Sequence, residues 1–148
     1  LLKKKNFTID DIVLIQPTSP FRSKKIIIEG LKKYNKSKEK NSIISISKTK
    51  KHPRMCLIKT RNKVKPYFKN HSLNLQSQDL DEVYEPNGSL YITSVKNLKK
   101  NKSFFSKETM FIQSYFKYED IDIDNKSDLE FAEIALKKYK KNIKKWQN

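Results

Sequence analysis

A strand–turn–helix–strand pattern in the first third of the chain constrains the fold more than any other feature. Residues 11–15, Asp-Ile-Val-Leu-Ile, form a short apolar run, which is typical of a strand buried on both faces of a sheet. Ser23 precedes apolar residues at helical spacing, and residues 42–47 are rich in Ile and alternate as a strand does. This order predicts a right-handed βαβ unit and a mainly parallel sheet.

Further along the chain, the pattern predicts a hairpin and two more strands. Residues 56–59 and 64–68 flank a Thr-Arg-Asn-Lys turn, and a polar stretch from 69 to 82 follows them. Strands are predicted at 87–93 and 110–116. Since long polar stretches in compact domains are usually functional, the segment 69–82 is interpreted as an excursion from the core.

Two helices complete the predicted elements. Ser94 is placed to cap a short helix at 95–100, and the stretch from Ser127 to Glu130 has the form of a capping box for the last helix. That last helix is predicted to bury one apolar face, which consists of Leu129, Ala132, Leu136 and Tyr139, with Phe131 and Ala135 beside them.

The composition excludes few functions. The formal net charge is +17, but the lysines that carry most of it are scattered and form no single stripe. We therefore interpret the charge as a solvated surface, and a basic nucleic-acid-binding module stays open as an alternative. No apolar run approaches the roughly 18 residues of a membrane span, so no membrane partner is expected. The single cysteine, Cys56, fits a reducing compartment and a cytoplasmic location.

The run Asp-Ile-Asp-Ile-Asp at residues 120–124 is a candidate metal site. Residues two apart in an extended chain share a face, so Asp120, Asp122 and Asp124 are expected to project together. Two carboxylates at this spacing can hold Mg²⁺ while waters and substrate phosphates fill the other positions. The alternative is an acidic surface segment that favours the start of the following helix.

The turn Gln-Pro-Thr-Ser-Pro-Phe-Arg after the first strand is a candidate ligand site. Gln16, Thr18, Ser19 and Arg22 offer an amide, two hydroxyls and a guanidinium where ligands of open α/β sheets bind. An arginine can form two parallel hydrogen bonds to a carboxylate or a phosphate. The alternative is a proline-rich turn whose hydroxyls only cap the next helix.

Two further groups are weaker candidates. Asn87 and Tyr91 flank Gly88, which permits close approach of the backbone to a ligand or simply forms the turn into a strand. Phe104 and Phe105 form an aromatic pair that by itself is interpreted as core. His52 and His71 are interpreted as surface residues, and the chain has no glycine-rich phosphate loop.

Three motifs in order, LIQPTSPFR, PNGSLYI and IDIDNKSDLEFAE, resemble the acylneuraminate cytidylyltransferases, the CMP-sialic acid synthetases and their bacterial nonulosonate relatives. The resemblance covers nearly the whole chain. It implies a partial Rossmann-like nucleotide-diphospho-sugar transferase fold with a β-rich dimerisation excursion. It also implies transfer of CMP from CTP to an acidic nine-carbon sugar, with release of pyrophosphate.

The resemblance also implies roles for particular residues. Asp122 and Asp124 would be catalytic residues that hold Mg²⁺ against the triphosphate. The sugar would be bound by four residues of the turn, Gln16, Thr18, Ser19 and Arg22. The amide of Asn87 and the aromatic ring of Tyr91 would complete this site. Phe104 and Phe105 would project towards the partner subunit of a homodimer. The residue that deprotonates the sugar hydroxyl is not assigned.

The implied domains are the back half of the α/β core at 1–52, the dimerisation excursion at 53–106, and a last strand, aspartate motif and helix at 107–148. The family's loop of the form A-R-x-G-S-K-x-x-x-K-N, which holds CTP, has no counterpart here, so the chain is expected to be inactive alone. The sugar stays open between sialic-type acids and a Kdo-type acid. A remnant that retains only the dimerisation surface is a further alternative.

Overall fold

A four-stranded sheet covered by helices forms the larger of two compact parts of the chain. The structure is a computed structural model that describes residues 8–68, 78 and 80–147; the predicted surface residue His71 lies outside them. The elements in chain order are β1 (Asp11–Leu14), α1 (Lys24–Lys36), β2 (Ile43–Lys48), β3 (Leu57–Thr60), β4 (Lys63–Pro66), β5 (Tyr84–Ser94), α2 (Val95–Asn101), β6 (Met110–Gln113) and α3 (Lys126–Gln147).

The predicted α/β class is confirmed, but the sheet is mixed rather than mainly parallel. Its strand order is β1-β5-β2-β6. β1 pairs with β5 in antiparallel register, with Asp11 opposite Ser94, whereas β2 pairs with β6 in parallel register, with Ile43 opposite Met110. β5 lies between β1 and β2, so the two strands of the predicted βαβ unit are not neighbours.

Among the described strands β1 lies at an edge of the sheet, and its exposure corrects the prediction that it is buried on both faces. Val13 and Leu14 in β1 are 44% and 40% exposed, and Ile15 directly after the strand is 40% exposed. The doubly buried strands are instead β2 and the second half of β5, where Ile43 and Leu90 are completely buried. An apolar run thus indicated a strand correctly but not its position in the sheet.

α1 packs on the sheet as its pattern predicted. Ser23 caps the helix by accepting a hydrogen bond from the Ile26 main-chain N–H at 3.2 Å. Ile26 and Tyr34 are buried in the core cluster that also contains Leu90. Gly30 allows this close contact, because a Cβ there would lie 2.4 Å from a Leu90 methyl carbon.

α3 begins two residues earlier than predicted, and only part of its predicted apolar face is buried. Its capping residues are Asn125 and Asp128, since the Asp128 carboxylate accepts from the Asn125 N–H at 3.0 Å and the Asn125 side chain accepts from the Asp128 N–H at 3.1 Å. The buried side chains are Ala132 and Ala135, with Tyr139 packed beside them. The predicted face residues Leu129, Phe131 and Leu136 are exposed, as is Ile134.

The second compact unit comprises residues Lys48–Glu85. It contains the predicted hairpin of β3 and β4, in which Leu57 lies opposite Pro66 and Thr60 opposite Lys63. Arg61 in the hairpin turn adopts a positive φ of 46°. Within the described part of the chain, none of the helices combines the length and the apolar character that crossing a lipid bilayer requires.

Candidate functional site

The three sequence motifs meet at one place, beside the end of β1 and the middle of β5. The Gln16 N–H donates to the Gly88 carbonyl at 3.2 Å, and the Ser19 hydroxyl donates to the Asn87 carbonyl at 3.0 Å. The third motif joins them where the Ile123 N–H donates to the Thr18 carbonyl at 2.9 Å. We call residues 16–22 and 87–91 the turn side, and residues 120–124 the acid segment.

Gly88 makes the close contact within the turn side possible. Its φ is +73°, a conformation that side chains with a Cβ rarely adopt. A Cβ at this position would lie 2.2 Å from Gln16 Oε1 and 2.5 Å from Ser19 Oγ. The glycine is therefore required both by its backbone conformation and by the two polar side chains that lie against it.

Buried serines fix the orientation of the Asn87 side chain. Asn87 Oδ1 accepts from the Ser45 hydroxyl at 2.6 Å and from the Ser89 N–H at 3.2 Å. Since both bonds use the amide oxygen, the amide nitrogen faces Asp120, to which it donates at 3.4 Å. Asn87 is thereby held as a hydrogen-bond donor at the junction of the turn side and the acid segment.

Glu119 is a completely buried carboxylate beneath the site. Its two oxygens accept three main-chain hydrogen bonds, from Ser23 at 3.2 Å, Tyr115 at 2.6 Å and Phe116 at 3.0 Å. A buried carboxylate is tolerated when main-chain donors satisfy its oxygens in this way. Glu119 thus joins the start of α1 to the segment that leads into the aspartates.

The Arg22 guanidinium donates hydrogen bonds to main-chain carbonyls. Its Nη2 donates to the Gln16 carbonyl at 2.7 Å, and its Nε donates to the Ser89 carbonyl. The side chain is half-buried, and burial lowers the pKa of the guanidinium from its ordinary value.

The acid segment is more open than the turn side. Asp122 and Asp124 are exposed, and Asp122 Oδ1 lies a long 3.4 Å from the Ser19 hydroxyl oxygen. Asp120 differs, because it ends a short 3-10 helix, Lys117–Asp120, and accepts from Ser114 Oγ at 2.5 Å. The extended geometry expected for all three aspartates is therefore absent at Asp120.

No group of three or more acidic, histidine or cysteine side chains that could hold a metal ion occurs among the described residues. Asp122 and Asp124 nevertheless offer exposed carboxylate oxygens two residues apart. This donor set fits a hard divalent ion that keeps waters or substrate oxygens in its remaining positions. The metal role of the pair stays a prediction.

Tyr91 and Phe104 form the aromatic part of the site. Their rings meet edge to face, with 5.5 Å between centroids. Burial raises the pKa of Tyr91, and the nearby Asp122 charge raises it further. Phe105, in contrast, is 53% exposed.

Several residues of the site were not predicted from the sequence. They are Ser45, Ser89, Ser114 and Glu119, which support the predicted residues through buried or partly buried hydrogen bonds. A serine in a strand carries no spacing signal, so Ser45 and Ser89 could not have been identified. Glu119 was identifiable only as an acidic residue directly before the Asp-Ile-Asp-Ile-Asp run.

Curated relatives are similar to most of this chain. One is a CMP-N,N'-diacetyllegionaminic acid synthase of Legionella pneumophila, 32% identical over 129 residues or 86% of the chain. Two are N-acylneuraminate cytidylyltransferases, each 28% identical: that of Streptococcus agalactiae serotype V matches 80% of the chain, and that of Escherichia coli O18:K1:H7 matches 94%. These names agree with the resemblance predicted from the three motifs, which is confirmed.

The chain spans only part of each relative. It covers 54% of the Legionella protein, 28% of the Streptococcus protein and 33% of the Escherichia protein. No protein-family model matches the chain.

Proposed function

Since this chain is related over most of its length to the acylneuraminate cytidylyltransferases, we propose that it forms the sugar and metal side of an enzyme that transfers CMP from CTP to a nonulosonic acid. The observation that carries the proposal is the convergence of the three motifs. Ser19 contacts both Asn87 and Asp122, although 68 and 103 residues separate it from them. A sugar held on the turn side would therefore lie next to the carboxylates of the acid segment.

The turn side would bind the sugar through hydrogen bonds. Gln16, with its side chain against Gly88, and the locked donor Asn87 supply polar groups suited to hydroxyl, acyl and carboxylate oxygens. Tyr91 and Phe104 supply an apolar wall beside them. Thr18 would add a hydroxyl, while its carbonyl is already bonded to Ile123.

The acid segment would bind the nucleotide through a divalent ion. Asp122 and Asp124 would hold Mg²⁺ as two oxygen ligands. A bound ion at these carboxylates would neutralise negative charge on the leaving pyrophosphate. Asp122, at 3.4 Å from the Ser19 hydroxyl, would keep the reacting groups close to the turn side.

We propose four further features from the resemblance to the family. They are a Rossmann-like sheet, domain divisions at 1–52, 53–106 and 107–148, a homodimer to which Phe104 and Phe105 contribute, and a cytoplasmic location where CTP is available. The compact unit Lys48–Glu85 overlaps the proposed excursion in part. Ser77, which stands where the family often has a basic residue, lies outside the described residues.

Binding and turnover test the proposal separately. We expect the chain to bind N-acetylneuraminate or N,N'-diacetyllegionaminate by calorimetry, and Asn87→Ala to weaken this binding. We expect no pyrophosphate release from CTP and Mg²⁺ by this chain alone. As a control, Asn62→Ala in the β3–β4 turn should leave sugar binding unchanged.

Two outcomes would contradict the proposal. Absence of sugar binding together with absence of Mg²⁺ binding would favour a remnant that retains only a dimerisation surface. Binding of DNA irrespective of base sequence, without sugar binding, would favour the basic nucleic-acid module. A strong preference for a Kdo-type acid would retain the reaction but change the substrate.

A further inference from the structure

The arginine of the Gln-Pro-Thr-Ser-Pro-Phe-Arg turn uses two of its five N–H donors to bind main-chain carbonyls of the protein itself. Arg22 Nη2 donates to the carbonyl of Gln16, six residues earlier, and Nε donates to the carbonyl of Ser89, 67 residues later. In a guanidinium, Nε–H and the adjacent Nη2–H form the side-on edge that grips a carboxylate with two parallel bonds. Two main-chain carbonyls occupy that edge here.

The two carbonyls that accept from Arg22 belong to the two different segments of the turn side. Gln16 belongs to the turn, and Ser89 belongs to β5 and is completely buried. The Gln16 N–H also bonds to Gly88 O, so both main-chain polar groups of Gln16 are tied, one to β5 and one to Arg22. Together these bonds determine where the Gln16 side chain can lie, since its Oε1 already packs against Gly88.

We infer that Arg22 is a positioning residue that clamps the turn to β5 and sets the place of Gln16, and that it does not contact the sugar. The inference assigns a role to one residue of the proposed sugar site. It rests on the proposed function only for the choice of the sugar as the ligand. It reverses the role predicted for Arg22, whose charge had pointed to a carboxylate or phosphate ligand.

The ion pairs of the described residues are consistent with this role. They involve Lys25, Lys40 and Lys48, and none includes Arg22. Arg22 is thus held by neutral carbonyls rather than by an acidic side chain. A lysine could supply the same charge, but its single ammonium lacks the planar fork that reaches both carbonyls. Charge and fork geometry can therefore be separated by substitution.

The first experiment uses the unmodified chain and nuclear magnetic resonance. We expect a protected Arg22 Nε–H signal in the free protein, because this hydrogen is bonded to Ser89. Addition of N-acetylneuraminate should shift the Gln16 side-chain amide signal and leave the Arg22 Nε–H signal in place. A shift of the Arg22 signal comparable to that of Gln16, or a rapidly exchanging Nε–H in the free protein, would overturn the inference.

The second experiment compares Arg22→Lys with Arg22→Gln. In both variants we expect the Gln16 main-chain amide to exchange about tenfold faster, because the turn opens more readily. We also expect both variants to lose sugar affinity to the same extent. In a double-mutant cycle, the losses caused by the Arg22 substitution and by Gln16→Ala should not add, because both act through the Gln16 side chain. Arg61→Lys, in the exposed hairpin turn, is the matched control and should change neither quantity.

Retention of wild-type sugar affinity by Arg22→Lys, with loss only in Arg22→Gln, would show that charge matters and would overturn the inference. If the unmodified chain binds no sugar, the proposed function fails, but the Nε–H protection and the Gln16 exchange rates still decide the clamp. If a variant does not fold, the measurements on the unmodified chain decide it.

Discussion

The turn side and the acid segment lie in contact, but the protein builds them differently. On the turn side Ser19 and Ser89 are completely buried, and carbonyls, hydroxyls and the Arg22 guanidinium hold one another. In the acid segment Asp122 and Asp124 are exposed, and the Asp122 carboxylate has one long contact to Ser19. The comparison teaches that one side is shaped before any ligand arrives, while the other keeps its charge available for a ligand.

The largest expected effect concerns the support beneath the turn side. Glu119→Ala would leave three buried main-chain donors without their acceptor, at Ser23, Tyr115 and Phe116. We expect a loss of about 3 kcal/mol in the free energy of unfolding, measured by urea denaturation. Glu133→Ala, at an exposed position of α3, is the control and should change stability by less than about 0.5 kcal/mol. A similarly small loss at Glu119 would mean that the turn side is not pre-formed.

The second effect concerns Gly88. Gly88→Ala places a side chain at a φ of +73° and a Cβ 2.2 Å from Gln16 Oε1, so the free energy of unfolding should fall by about 2 kcal/mol. Lys102→Gly is a matched control of opposite sign, because Lys102 ends α2 with a φ of 50° and glycine relieves that conformation. An unchanged denaturation midpoint for Gly88→Ala would show that the turn side adapts freely.

The third effect concerns the acid segment and should appear in binding rather than in stability. Asp122→Asn should weaken Mg²⁺ binding about tenfold in calorimetry, because one carboxylate charge is lost. The free energy of unfolding should change by less than about 0.5 kcal/mol, as expected for an exposed residue. Asp81→Asn, exposed in the second unit, is the control for Mg²⁺ binding. A large loss of stability in Asp122→Asn would mean that the acid segment, like the turn side, contributes to the folded structure.

The smallest effect links the two sides through Tyr91. Burial and the Asp122 charge raise the folded-state pKa of Tyr91 above the unfolded value of about 10. The folded state therefore holds this proton more tightly, and stability must fall as the pH rises from the unfolded pKa through the folded one. Tyr91→Phe should make the decline shallower in denaturation curves recorded at alkaline pH.

Tyr67→Phe is the control for that measurement, since Tyr67 is exposed in the second unit. It should leave the alkaline decline as steep as in the unmodified chain. Equal curves for Tyr91→Phe and the unmodified chain would mean that the folded-state pKa of Tyr91 is not raised.

Local features of the fold could be predicted because short-range chemistry determines them. The caps at Ser23 and Ser94 and the β3–β4 hairpin followed from residue type and spacing. The start of α3 was ambiguous, because Asn125 with Asp128 and Ser127 with Glu130 both satisfy the capping-box pattern.

Features that depend on distant partners could not be predicted. The place of β5 between β1 and β2 results from pairing across many residues, and no local pattern encodes it. The buried face of α3 was predicted only in part, at Ala132, Ala135 and Tyr139, because apolar residues occur on more than one side of that helix. The site shows the same division: its exposed acids and turn were visible in the sequence, whereas Ser45 and Ser89 became meaningful only once Asn87 lay between them.

The exposed position of β1 also bears on colloidal behaviour. Val13, Leu14 and Ile15 offer apolar side chains along an edge that can pair with another copy of the same strand. The formal net charge of +17 opposes such pairing, because two copies repel each other before their edges meet. Ionic strength screens that repulsion, so light scattering by a concentrated sample should rise as salt is added. The lysines that reveal nothing about the reaction would thus keep the molecules apart.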